Sequence, residues 1–226
     1  MKQSFILFSI LSIFVISSCS STKNTANKSS KKGEIVVIST NYGDMKVKLY
    51  DETPLHKENF LNLVQEGFYD SLVFHRVIKG FMIQGGNPKT SQKVGVEKAS
   101  EGELIPAEFR PNLFHKKGAL AAARTGDPVN PEKKSSGSQF YIVQGKVMND
   151  NQLALAEKRG GITIPDEQKE VYKTIGGTPH LDQNYTVFGE VIEGLNVIDK
   201  IASVKTKKPG DVPIDLVIFT MRTVKK

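Results

Sequence analysis

The densest run of chemically capable residues is Phe74-His75-Arg76-Val77-Ile78-Lys79-Gly80-Phe81-Met82-Ile83-Gln84-Gly85-Gly86. It sets a guanidinium, two large apolar side chains and an amide on two neighbouring extended segments joined at Lys79-Gly80. A second run, Gly137-Ser138-Gln139-Phe140-Tyr141-Ile142-Val143, alternates with period two, so Gln139 and Tyr141 share one face and Phe140 points to the other. A third, Leu181-Asp182-Gln183-Asn184-Tyr185-Thr186-Val187-Phe188-Gly189, reads as a loop entering a strand. Groups of these types grip and orient a ligand without attacking it. Ser138 has no histidine partner in the pattern, which argues against a hydrolase triad. His56, His75, His115 and His180 lack metal-ligand spacing, so neither a metal nor another cofactor is expected. Gly160-Gly161 and Gly176-Gly177 lack a phosphate-loop lysine and punctuate helices instead. Taken singly, Arg76 reads as a surface or ion-paired arginine, Phe81 and Met82 as core, and His75 as a hydrogen-bonded structural histidine. Phe81 and Met82 can reach one pocket only where the backbone bends, which Gly80 permits.

The elements that must position these groups are mostly short strands. Ile35–Ser39 and Met45–Tyr50 read as a hairpin around Asn41-Tyr42-Gly43-Asp44. Further strands are expected at Leu72–Val77, Phe81–Gln84, Ala119–Ala123, Gln139–Val143, Thr186–Val191 and Leu216–Thr223. Thr53-Pro54 opens a helix with Thr53 as N-cap, a stripe of Phe60, Leu63 and Val64, and Gly67 to end it. Leu195, Ile198 and Ile201 repeat at helical spacing. The expected fold is mainly β: a closed, eight-stranded antiparallel barrel capped by these two helices. One stretch, about 146–178, breaks the pattern. Asn149–Arg159 and a segment from Pro165 to Gly176, with Val171, Tyr172 and Ile175 as its apolar face, predict an inserted helical hairpin.

Charge is distributed unevenly. The chain has 31 basic and 24 acidic residues, and every acidic residue lies at or after Glu34. Lys2, Lys23, Lys28, Lys31 and Lys32 precede it, so the remainder holds 26 basic against 24 acidic residues. The basic excess belongs to the leader and a tether, which excludes nucleic acid as the expected partner. Phe5 to Ile16 is an apolar run interrupted by Ser9 and Ser12. About 12 helical residues span roughly 18 Å, too short for a hydrocarbon core of about 30 Å but the length of a signal peptide's apolar region. Ile16-Ser17-Ser18-Cys19 then resembles the lipobox of bacterial lipoproteins. The organisation expected is a lipoprotein signal peptide at 1–18, a flexible Ser/Thr/Asn/Lys tether at 19–33, and one domain at 34–226. The expected lipidation site is Cys19, of an exported, membrane-anchored protein facing the periplasm. It is also the only cysteine, so no intramolecular disulfide can form.

These runs, with Gly118-Ala119-Leu120-Ala121-Ala122-Ala123-Arg124 and the approach from Glu108-Phe109 to His115, resemble the cyclophilin family of peptidyl-prolyl cis-trans isomerases over nearly all of 35–222 outside the insert. The resemblance implies a monomeric isomerase acting on proline-containing polypeptides. It assigns Arg76 to stabilising the twisted amide, and Phe81, Met82, Tyr141 and Leu181 to the proline pocket. Gln84, Gln139 and the Ala123 backbone would hold the peptide, with His180 and Tyr185 at the rim. Three positions depart from the family's best-known pattern. Tyr141 stands where a pocket phenylalanine is usual, His180 where a tryptophan contacts cyclosporin, and Tyr185 where a rim histidine is usual. A second function class is a proline-peptide-binding chaperone or assembly module with incidental turnover. The insert is open to two readings, an extension of the peptide groove or a stabilising decoration.

Overall fold

The computed structural model describes residues 34–93 and 102–224. The hairpin forms as expected, from strands β1 (Ile35–Thr40) and β2 (Gly43–Leu49), paired from Ile35 opposite Lys48 to Thr40 opposite Gly43. Thr40 pins the turn: its hydroxyl accepts from the Tyr42 amide and donates to the Gly43 carbonyl. Helix α1 follows (Pro54–Gln65), then β3 (Leu72–Val73), β4 (Arg76–Ile78) and β5 (Met82–Gly85). Next come β6 (Ala119–Ala122), β7 (Phe140–Val143), α2 (Asp150–Gly160), α3 (Asp166–Thr174) and β8 (Val187–Glu193). The chain ends with α4 (Leu195–Ala202), a small hairpin of β9 (Thr206–Lys207) and β10 (Val212–Pro213), and β11 (Ile218–Thr223).

Nine strands form one curled antiparallel half-barrel in the order β3-β11-β1-β2-β8-β6-β7-β5-β4, accompanied by four α-helices among the described residues. The sheet counts nine strands where eight are expected, and it is a half-barrel where a closed barrel is expected. Leu72–Val77 divides because Phe74 turns its ring into the core while its amide donates to Val217 O. The residues before it pair with β11 and those after it with β5, so β3 and β4 lie at opposite ends of the strand order. The short hairpin of β9 and β10 was not foreseen either. Its strands are two residues each, and Val212 is exposed, so no period emerges from the sequence.

The concave face holds the main core. Phe60, Tyr69, Phe74, Phe140, Phe188 and Phe219 meet there with ring centroids as close as 4.8 Å (Phe74–Phe219) and edge-to-face pairs such as Phe60–Phe140 at 85°. Helix α1 buries Phe60, Leu61 and Val64 against it, and α4 buries Val197, Ile198 and Ile201. Leu195, counted in the expected stripe, is instead 40% exposed. Thr53 does occupy the N-cap position of α1, but its side chain makes no capping bond. The Glu108 carboxylate takes that role, accepting from the Leu55 and His56 amides at 3.2 and 3.0 Å. A carboxylate delivered from a distant loop is invisible to a local capping pattern.

The insert folds as a helical pair. Asn149 and Gln152 form a reciprocal capping box on α2, and Gly161 closes that helix in the left-handed region at φ +64°. Leu153, Ile164 and Tyr172 make a separate small core with Phe114, Met148 and Ile162. Of the expected face of α3, Tyr172 is fully buried while Ile175 is 48% exposed. Backbone pairing of Lys146 with Gly177 brings the two ends of the insert together.

Candidate active site

Sheet register decides which side chains converge. Arg76 pairs with Gln84, Gln84 with Tyr141, and Tyr141 with Ala121, across β4, β5, β7 and β6. Directly paired residues point to one face, so all four project from the convex side, away from the aromatic core. Phe140 is on the concave side and Tyr141 on the convex side, as the period-two reading requires. Phe81 lies just before β5, after Gly80 at φ +75°. That bend lets Phe81 and its neighbour Met82 face the same space. Gln144 stabilises it: its side-chain carbonyl accepts from the Gly80 amide at 2.6 Å, and its backbone amide donates to Phe81 O.

The result is a cavity of about 260 Å³ lined by Arg76, Phe81, Met82, Gln84, Ala123, Tyr141, Leu181 and Tyr185, with Arg124 added. Two other expected residues stand beside it. Gln139 accepts from the Gln84 side-chain amide at 3.2 Å, and His180 stacks on Phe81 with centroids 5.8 Å apart. Burial holds the His180 pKa below the usual histidine value, helped by His115 and Arg159 nearby. Cys19 and the expected signal peptide and tether lie outside the described residues.

The two cavity arginines differ in what they have left to donate. Arg124 is committed: it donates to Asn184 O, Thr125 O and the Asp127 carboxylate, and its guanidinium lies 4.5 Å from the Tyr185 ring centroid. Arg76 makes one long hydrogen bond, 3.4 Å from Nη1 to the Gln84 side-chain oxygen, and among the described residues no carboxylate pairs with it. Arg124 therefore builds the wall, while Arg76 presents spare donors to the cavity. Arg124 ends the run Gly118–Arg124, but nothing in its sequence context reports the Tyr185 face beneath it.

Two buried polar clusters also escaped the sequence reading. Ser135, His56 and Glu108 form a hydrogen-bonded chain, with His56 Nε2 2.9 Å from Ser135 Oγ and Nδ1 2.7 Å from Glu108. This resembles a hydrolase triad, but Ser135 is 2% exposed and Glu108 is occupied in capping α1. The adjoining void of about 10 Å³ has room for about one water, so the chain is structural. The second cluster ties the Tyr141 hydroxyl to His115 at 2.9 Å and His115 to Asp182 at 2.7 Å. Burial, then the neighbouring Tyr185 and Asp182, raises the Tyr141 phenol well above its ordinary pKa, so it remains a hydroxyl.

A cavity with an apolar wall, an uncommitted guanidinium and flanking amides suits a short peptide, and comparison with known proteins identifies which kind. The family model described as cyclophilin type peptidyl-prolyl cis-trans isomerase/CLD matches residues 35–223. The chain belongs to the cyclophilin-type peptidyl-prolyl cis-trans isomerases. It is an enzyme of that class, and its fold is cyclophilin-like. A relative from Staphylococcus aureus (strain USA300), named for peptidyl-prolyl cis-trans isomerisation, is 42% identical over 195 residues, 85% of this chain and 93% of its own length. A Streptococcus pyogenes protein named as a bifunctional phosphatase/peptidyl-prolyl isomerase is 39% identical over 84% of this chain, which covers 38% of that protein. Among solved structures, a Cryptosporidium parvum cyclophilin superposes with TM-score 0.63 at 28% identity, covering 86% of this chain and 99% of its own. The same cyclophilin solved in the presence of the dipeptide Ala-Pro gives TM-score 0.61.

Proposed function

We propose that the cavity is the proline pocket of this cyclophilin and that Arg76 is its catalytic residue. Rotation about a peptide bond must overcome about 18–20 kcal/mol of lost resonance, whereas cis and trans X-Pro differ by only about 0.5–1 kcal/mol. A catalyst of this exchange needs neither nucleophile nor metal. It must seat the ring, hold the flanking backbone and favour the twisted amide, whose prolyl nitrogen becomes a hydrogen-bond acceptor. Phe81, Met82, Tyr141 and Leu181 supply an apolar seat, and Gln84 and Ala123 supply polar atoms for the backbone. The Arg76 guanidinium donates more strongly to the twisted amide than to the planar one, which lowers the barrier in both directions. In this reading β3 and β4, joined through Phe74-His75, act as one bent strand that closes the half-barrel and carries Arg76 to the cavity.

The observation that carries this reading is the contrast between Arg76, with one long hydrogen bond, and Arg124, whose Nε and Nη1 donors are taken up by Asn184, Thr125 and Asp127. A module that merely binds proline segments requires the apolar seat but not a guanidinium with spare donors. The test is a protease-coupled cis/trans assay on an X-Pro tetrapeptide. Arg76→Ala should lower kcat by roughly 10²–10³, the scale for removing one transition-state donor, with KM changing far less. Activity within tenfold of wild type would sink the mechanism, and equal losses in binding and turnover would make Arg76 a positioning residue. The lipobox-like Ile16–Cys19 supports a second element: the enzyme is exported, anchored by lipid on Cys19, and acts on exported proteins outside the cytoplasm. Fatty-acid labelling that is lost in Cys19→Ser, with isomerase activity intact, is the expected result. An unlabelled wild type refutes the anchor.

A further inference from the structure

Four buried polar side chains connect the cavity to the helical insert. Tyr141, on the cavity wall, has its hydroxyl 2.9 Å from His115 Nε2. His115 Nδ1 and the His115 backbone amide both reach Asp182 Oδ1, at 2.7 and 2.8 Å. The other carboxylate oxygen, Asp182 Oδ2, accepts from the hydroxyl of Tyr172, on α3 of the insert, at 2.6 Å. Exposure along the chain is 4% for Tyr141, 0% for His115, 3% for Asp182 and 0% for Tyr172. The carboxylate facing Nδ1 places a proton there, leaving Nε2 to accept from Tyr141 in the neutral ring. Every link then has one donor and one acceptor.

The chain also touches the cavity a second time. Asp182 directly follows Leu181, which lines the cavity, and the His180 that stacks on Phe81. Helix α2 of the insert packs against this same turn, Pro179–Leu181, with Gly160 so close that a Cβ there would lie 3.2 Å from His180 O. One carboxylate therefore orients a wall residue, Tyr141, through His115, while Leu181 is held by its own turn, its amide donating to Thr178 O at 3.1 Å. The carboxylate's orientation depends on a hydroxyl supplied by the insert. Buried networks of this kind are costly when one member is removed, because the remaining groups cannot be resolvated.

We propose that Tyr172 is a positioning residue for the proline pocket, so that the insert acts on substrate binding through Asp182 and His115 and does not need to touch the substrate. The inference rests on the reading of the cavity as the proline pocket. Loosening the walls weakens the planar and twisted amides alike, so the effect belongs in KM, whereas Arg76 acts in kcat.

The test uses the full chain, an X-Pro tetrapeptide, and the variants Tyr172→Phe, Tyr141→Phe and the pair. Tyr172→Phe should raise KM roughly 3- to 10-fold with kcat within about twofold, a scale consistent with residues sharing one hydrogen-bond network. With Tyr141 already phenylalanine, the chain is cut at its pocket end, and Tyr172→Phe should add much less to KM while still lowering the melting temperature. Linkage also requires the reverse effect. The Met148 amide donates to the Tyr172 carbonyl at 3.1 Å, and its hydrogen exchange should slow when the peptide binds wild type but not Tyr141→Phe. This arm holds even if Tyr172→Phe fails to fold. An unchanged KM in Tyr172→Phe, additive losses in the pair, or Met148 exchange indifferent to peptide would each overturn the proposal. Failure of the pocket reading looks different: Arg76→Ala and Phe81→Ala would then both keep wild-type turnover.

Discussion

The two faces of β5, β7 and β6 are made from alternate residues of the same strands, yet they end in opposite states. On the concave side Ile83, Leu120, Phe140 and Ile142 are all 0–1% exposed and interlock with rings from α1 and β11. On the convex side Ala119 and Ala121 of β6 pack with Tyr141, Val143 and Val187, and Ala123, just past β6, borders with Met82 and Tyr141 a space that no side chain fills. Local residue size makes the difference. Where large residues face each other the sheet becomes core, and where Ala123 presents only a methyl group beside Met82 and Tyr141, packing stops short and leaves a preformed pocket. A pocket built this way requires little ordering when a ligand enters.

The largest effect expected from this contrast lies on the concave side. Phe140→Ala removes the ring that meets Phe60, Tyr69, Phe74 and Phe219, and should destabilise the fold by about 3–5 kcal/mol in denaturant unfolding. Arg76→Ala, two strands away on the other face, should shift stability by no more than about 0.5 kcal/mol. If the two variants unfold together, the faces are not energetically separate.

Adjacent alanines sharpen the comparison further. Ala122 is packed in the main core and Ala123 lines the cavity. Ala122→Leu should cost about 1–3 kcal/mol of stability through overpacking. Ala123→Leu has open space to enter, so its melting temperature should hardly move. Its tetrapeptide KM should rise tenfold or more, because the added side chain occupies the ligand's volume. A stability loss at Ala123 as large as that at Ala122 would mean the cavity is not open to a side chain.

Most of this arrangement was legible in the sequence because it rests on period and order. The hairpin, the α1 and α4 helices, the insert and the convergence of Arg76, Phe81, Gln84 and Tyr141 all follow from alternation, turn residues and the resemblance they carry. Eight of the ten residues named for the site line the cavity, and the other two contact those that do. What could not be read depends on partners far apart in the chain. Glu108 reaches α1 from 52 positions away, and Asp182 reaches His115 across 67. No local pattern marks a carboxylate for burial against a histidine. The split at Phe74-His75 was hidden for a related reason: a short extended run looks the same in sequence whether it pairs with one neighbour or changes partners halfway.

Acid should reveal the buried histidines. Burial lowers the pKa of His56, with Glu108 opposing it, and of His180. The unfolded chain binds these protons near the ordinary histidine value, about 6.5, while the folded protein resists them to lower pH. The contribution to stability is complete above that value and is lost as pH falls through the depressed folded pKa values. The melting temperature should therefore fall on acidification from neutral pH, and His180→Gln should flatten the part due to the rim. A melting temperature that rises on acidification over the same interval would contradict the sign for both residues.

The smallest effect expected tests the rim. Resemblance places His180 where a tryptophan contacts cyclosporin, and the structure stacks its ring on Phe81 beside the cavity. An imidazole offers less aromatic area than an indole and lacks the indole N–H at that position, so wild type should bind cyclosporin weakly. His180→Trp should tighten inhibition by roughly tenfold, equivalent to about 1.4 kcal/mol. The gain should stop short of the full difference between the residues, because α2 closes over this turn at Gly160 and leaves an indole less freedom to settle. Inhibition constants for the two forms, measured with the same tetrapeptide, decide the matter. Tight inhibition of wild type would show that His180 does not stand where the tryptophan does. A tryptophan variant no better than wild type would show that α2, rather than ring chemistry, limits what the rim can hold.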